Sequence, residues 1–257
     1  MNRFIIAGNW KMNMPAEIYD FAALPKTPAE VEVLLCPPAP FLERVVALRH
    51  ILGLPFVNVG AQDVSAADSG AFTGEVSGAM LGSLGVKYAI VGHSERRECH
   101  KETDEVVNKK AQAALRNAIN PIICVGETLA ERESGATVAR LTEQVTRALD
   151  GLSDENIANI VVAYEPVWAI GTGVAASADD AQSGCKCIRG VVAAMYSAEI
   201  AAKLPILYGG SMNSKNASEL LSCPDINGGL IGGAALDATA FCTIINAAVG
   251  IYETGGK

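Results

Sequence analysis

Glu165, His93 and Lys11 stand where a proton and a developing negative charge can be handled. Glu165 closes the apolar run Ile160-Val161-Val162-Ala163-Tyr164 and precedes Pro166, so a carboxylate sits where a buried strand meets a loop. There it is a candidate general base, or else a charged strand exit paired with a nearby cation. His93, one of three histidines, follows an apolar run through a Gly92 turn and precedes a short helix signal. An amide array at a helix start disfavours an imidazolium, so a neutral histidine there can donate to a developing oxyanion. A satisfied core histidine is the plainer alternative. Lys11 can attract phosphate and stabilise charge at reacting oxygens, or it can form a Schiff base. Glu95 offers it a partner, in a salt bridge that is structural, catalytic or both.

Two glycine turns, Gly209-Gly210-Ser211 and Gly232-Gly233, can bring backbone amides close to an anion because no side chain blocks the approach. Either one alone also reads as an ordinary tight turn. The segment 166–174 begins with proline and carries Gly171 and Gly173, which suits a lid as well as a plain surface connection. Cys185 and Cys187 lie two apart in an apparent helix with no histidine nearby, so they are read as structural or incidental and no metal site is expected.

The elements that must position these groups are short apolar runs separated by helix-like segments. Phe4–Ala7, Val31–Leu35, Phe56–Gly60, Tyr88–Val91, Ile122–Val125, Ile160–Ala163, Ile206–Tyr208 and Leu230–Ile231 give eight candidate strands. Asp104–Asn117, Val138–Leu149 and Ala178–Ala202 repeat apolar residues at helical spacing. Alternation of this kind implies a parallel sheet, closed as a (β/α)8 barrel or open and doubly wound. In a barrel the βα loops converge on one mouth at the C-terminal ends of the strands. Asn9 and Lys11 follow strand one, His93, Ser94 and Glu95 follow strand four, Glu165 ends strand six, and the glycine turns follow strands seven and eight.

A length of 257 residues admits one barrel domain spanning 1–257, and no Pro/Gly/Ser-rich linker divides it; Pro25-Lys26-Thr27-Pro28 reads as a turn. Half the residues are apolar and 19% are charged, which excludes a disordered or fibrous chain. The net charge of −8 gives no general attraction for nucleic acid. Apolar runs stop well short of the roughly 18 residues of a membrane span, and the start lacks the apolar stretch of a secretory signal. Seven scattered cysteines form no disulfide framework, so a cytoplasmic location is expected.

Ala7-Gly8-Asn9-Trp10-Lys11-Met12-Asn13, Gly92-His93-Ser94-Glu95-Arg96-Arg97 and 163–173 (A-Y-E-P-V-W-A-I-G-T-G) together resemble the triosephosphate isomerase family, with landmarks continuing to Gly232-Gly233. The resemblance implies a single TIM barrel that interconverts dihydroxyacetone phosphate and glyceraldehyde 3-phosphate through an enediolate, without metal or organic cofactor. It implies that Glu165 is the base, His93 the electrophile, and Asn9 and Lys11 substrate contacts, with Glu95 ordering Lys11. It further implies that amides of Gly171, Ser211, Gly232 and Gly233 hold phosphate while Ile170 and Leu230 close over Glu165. Gly70–Glu75, with Thr73 at its centre, resembles a loop that reaches into a partner subunit, so a homodimer is implied. Two departures from the family stand out: the helical region Pro15–Leu24 is short, and Gly229 replaces a bulky aromatic, which is expected to loosen the approach to Leu230.

Overall fold

A computed structural model of the protein describes residues 3–170 and 176–255. Its strands are β1 (Phe4–Asn9), β2 (Val31–Cys36), β3 (Val57–Ala61), β4 (Tyr88–Val91), β5 (Asn120–Val125), β6 (Val161–Tyr164), β7 (Ile206–Tyr208) and β8 (Gly228–Ile231). Each pairs in parallel with the next, and β8 returns to β1, so the sheet is a closed (β/α)8 barrel and not an open doubly wound one.

The strands read as unbroken apolar runs because both of their faces are buried, one inside the barrel and one under helices. Alternate residues therefore divide between two cores. Ile5, Ala7, Leu34, Ile90, Ile122, Ala163 and Leu207 fill the interior. Phe4, Ile6, Val33, Val59, Ile123 and Val162 join the larger core shared with the helices. At the N-terminal end of the barrel, Arg3 pairs with Glu32 at 2.7 Å and Tyr88 donates to the same carboxylate at 2.6 Å. Burial pushes the Tyr88 phenol well up from its ordinary value, and the bond to Glu32 adds to this.

The expected helices appear at Asp104–Arg116 and Thr137–Ala148. The third, expected unbroken over 178–202, is instead two helices, Ala178–Met195 and Ala198–Lys203. Tyr196 leaves helical geometry (φ −122°, ψ −90°), and the Ser197 side chain then caps a new start by accepting from the Ile200 amide at 3.1 Å. The region Pro15–Leu24 holds only a 3-10 turn, Ile18–Ala23, whose Phe21 packs against Trp10. The C-terminal helix Ala238–Glu253 reaches across to that turn, β1 and β2, and so supplies the cover that a longer first helix would give.

Sequence places β8 at Leu230–Ile231, but it starts at Gly228. Gly228 has φ +141°, and a Cβ there would lie 1.9 Å from the Ile5 carbonyl oxygen. The β1–β8 seam therefore closes only over a residue with no side chain. Gly228→Ala is expected to lower unfolding stability by roughly 2–4 kcal/mol through backbone strain and overpacking. Urea denaturation checks this, and an unchanged midpoint would show that the seam tolerates a side chain.

Candidate active site

The C-terminal ends of β1, β4, β6, β7 and β8 surround a cavity of about 320 Å³. Asn9, Lys11, His93, Ile170, Ser211, Met212, Leu230, Gly232 and Gly233 line it. The structure thus brings together the side chains that the sequence scattered over more than two hundred positions. Gly171 lies outside the described residues.

Asn9 is the last residue of β1, and its side-chain oxygen accepts from the Lys11 amide at 3.0 Å. That bond helps to hold Lys11 in the left-handed region, at φ +50°, which costs a non-glycine residue free energy and persists only where the surroundings enforce it. Gln62, directly after β3, adds a second restraint by donating to the Lys11 carbonyl at 2.9 Å and to the Cys36 carbonyl at 2.8 Å. So held, the Lys11 ammonium meets Glu95 at 2.6 Å and stands beside Gly232, where a Cβ would be 3.5 Å from Lys11 Cε. Both partners of the Lys11–Glu95 pair are part-exposed, so it adds little stability and serves mainly to aim the cation.

His93 caps the short helix Ser94–Cys99, and its Nδ1 accepts from the Glu95 amide at 3.2 Å. A ring nitrogen that accepts carries a lone pair, so the proton of the neutral imidazole belongs on Nε2. Nε2 lies 3.0 Å from Glu165 Oε1, while Glu165 Oε2 accepts from the Ser94 amide at 2.9 Å. Glu165 is only 2% exposed and does not line the cavity. Its carboxylate rests against the Nε2 side of the imidazole, close enough to Cys124 that burial first and the Glu165 charge second push that thiol well above its ordinary value.

The loop after β6 is anchored at its start. Trp168 Nε1 donates to Glu127 Oε1 at 2.8 Å, Tyr164 donates to the same oxygen at 3.1 Å, and the Arg132 guanidinium lies 4.2 Å from the Trp168 ring centroid. Glu127 is fully buried, and both of these hydrogen bonds go to its Oε1. Ser211 donates its hydroxyl to the Ala169 carbonyl at 3.0 Å, tying the turn after β7 to the same loop. Gln62 and Glu127 were not singled out from sequence. The available signal was position, since each is among the first polar residues beyond a strand's C-terminal end.

Leu230 is buried at the cavity floor and Ile170 lies at its edge. Gly229 does not leave the approach to Leu230 loose, because Met212 occupies the space beside it. Thr73 is exposed on the segment 70–75 and takes no part in lining the cavity. A second groove of about 420 Å³ adjoins the cavity at Lys11 and includes Met12, Gln62, Asp63, Glu75 and Arg96.

Among known proteins, the family model described as "Triosephosphate isomerase" matches residues 4–248. A protein of that name from Moorella thermoacetica is 50% identical over 250 residues, covering 96% of this chain and 99% of its own. One from Rhodopirellula baltica is 48% identical over 254 residues, covering 96% and 98%, and one from Corynebacterium glutamicum is 49% identical over 247, covering 93% and 95%.

Burial holds the Cys36 thiol up at about 12 and Cys124 higher than its ordinary value, whereas Cys99 is exposed. In the native protein at mildly alkaline pH, an alkylating reagent is expected to modify Cys99 and to spare Cys36 and Cys124 until the chain unfolds. Peptide mass mapping checks this, and native labelling of Cys124 would mean that the barrel opens beneath Glu165.

Proposed function

The chain belongs to the triosephosphate isomerase family and interconverts dihydroxyacetone phosphate and D-glyceraldehyde 3-phosphate by proton transfer through an enediolate, and we propose that Glu165, His93, Lys11 and Asn9 carry that reaction here. The observation behind these roles is the Glu95 amide donating to His93 Nδ1, which in a neutral imidazole leaves the proton on Nε2 to donate. Glu165 removes the carbon-bound proton, and the Nε2–H of His93 donates to the oxygen on which charge develops. The Lys11 ammonium, aimed by Glu95, stabilises that charge, and Asn9 holds both Lys11 and substrate. The 2.6 Å ion pair supports this electrostatic role for Lys11 over that of a carbonyl-trapping amine.

Amides of Gly171, Ser211, Gly232 and Gly233 hold the phosphate in this reading. Because Glu165 rests on the Ser94 amide, its side chain must turn toward the cavity when substrate arrives, and Ile170 and Leu230 then exclude water around it. A base, a hydrogen-bond donor and a fixed cation meet the needs of the proton transfer, so no cofactor is assigned. The chain is read as one catalytic barrel over 1–257. Its seven free cysteines favour the reducing cytoplasm, and no helix among the described residues is long and apolar enough to cross a membrane. A coupled assay of metal-stripped protein with each triose phosphate tests the whole reading, and folded protein that interconverts neither would end it.

A homodimer belongs to the same proposal. Met12 is 94% exposed and Phe72 54%, one beside the second groove and the other on the segment 70–75. A partner's loop seated in that groove would cover such apolar side chains and brace Lys11 from outside. Thr73→Arg is expected to shift the protein toward monomer in sedimentation and to reduce turnover with it, since an unpaired charge is costly in a confined contact. An unchanged dimer with normal turnover would place the interface elsewhere.

Glu165→Gln keeps the side chain's size and removes the base. Turnover should fall on the order of hundreds-fold or more with the melting temperature near the parent's. Near-normal turnover in pure variant protein would assign the base to another residue.

A further inference from the structure

Gly229 has no conformational reason to be glycine, because its φ lies outside the left-handed range. What distinguishes the position is its neighbour. A Cβ there would stand 2.7 Å from Met212 Sδ and 3.1 Å from Met212 Cε, so the tip of the Met212 side chain would have to shift to admit one. Gly229 pairs with Tyr208 of β7 and precedes Leu230, so Met212 reaches from the turn after β7 across to β8. Met212 is 4% exposed, belongs to the core shared with the helices, and also lines the active-site cavity. Its backbone continues the turn, with Met212 N–H donating to the Gly210 carbonyl at 2.8 Å. The far side of the turn is secured by Asn216, which donates to the Ser211 carbonyl at 2.9 Å.

We infer that Met212 is a positioning residue for the anion cradle: its thioether, lodged where Gly229 leaves β8 bare, sets the height of the 210–213 turn and so where the Ser211 amide meets a bound phosphate. This rests on the reading of Ser211, Gly232 and Gly233 as phosphate donors. An unbranched thioether suits the task because it fills an irregular gap that a β-branched side chain could not reach. Ordinary core packing would affect stability when disturbed, whereas a positioning role moves phosphate affinity ahead of turnover.

The test is steady-state kinetics on the full-length protein, with inorganic phosphate as a competitive inhibitor. In Gly229→Phe the ring takes the thioether's place, and KM for glyceraldehyde 3-phosphate and the phosphate inhibition constant should rise together about tenfold, with kcat changed less than about threefold. Adding Met212→Val to that variant frees the space and should bring both constants back to within about threefold of the parent. Met212→Ala alone, which folds more readily, should raise the phosphate constant in the same direction. Gly233→Asp, at a position with open space around it, puts a carboxylate beside the proposed donors and serves as the reference for the phosphate site itself. Phosphate inhibition unchanged in Gly233→Asp would overturn the phosphate reading and this inference with it. A raised constant in Gly233→Asp, but none in Met212→Ala or Gly229→Phe, or no recovery in the folded double variant, would overturn the role of Met212 alone.

Discussion

One hydrogen bond underlies the proposed chemistry of this site: the Glu95 amide donating to His93 Nδ1 at 3.2 Å. A neutral imidazole has one proton to place, and occupying one nitrogen as an acceptor leaves the other as the donor. The surrounding arrangement follows from that assignment. The short helix after β4 must begin at Ser94 so that the next amides point back, one at the ring and one at the Glu165 carboxylate. Glu165 can then rest deeply buried, with Oε2 on a backbone donor and Oε1 3.0 Å from Nε2. The cation of the site is kept across the cavity, where Glu95 itself fixes it.

Backbone and side chain of Glu95 thus govern two different groups, the tautomer of His93 and the direction of Lys11. The Lys11 side is the more demanding, since its backbone is held at φ +50° by Asn9 on one flank and Gln62 on the other. Strain stored at a reactive residue and enforced from several strands is a common form of preorganisation. In the proposed role of Lys11, it would reduce the reorganisation needed when charge develops on substrate.

The barrel was legible because strands buried on two faces stand out as β-branched runs, and His93, Glu165 and the glycine turns were legible because they end such runs. Three kinds of feature were not. Gly228 and Gly229 hid the start of β8, since a residue chosen for its missing side chain gives no strand signal. Gln62 and Glu127 look like any polar residue beyond a strand until their hydrogen bonds to Lys11 and Trp168 are seen. The resting direction of Glu165, away from the cavity, depends on an amide seventy-one positions earlier, and no local pattern encodes it. The break at Tyr196 was in principle readable from Ser197, which has the chemistry of a helix cap but sits inside an otherwise periodic segment.

The β1–β8 seam joins Ile5 to Gly228, more than two hundred positions apart, and the helix that covers β1, Ala238–Glu253, follows β8 in the chain. As the polypeptide leaves the ribosome, its first strand therefore waits with one bare hydrogen-bonding edge and an uncovered apolar face while the rest of the sheet assembles beside it. Such an edge is a template for pairing with a foreign strand. Since synthesis runs from β1 toward β8, β1, which carries Asn9 and leads to Lys11, is the strand of the eight that waits longest for its second sheet neighbour.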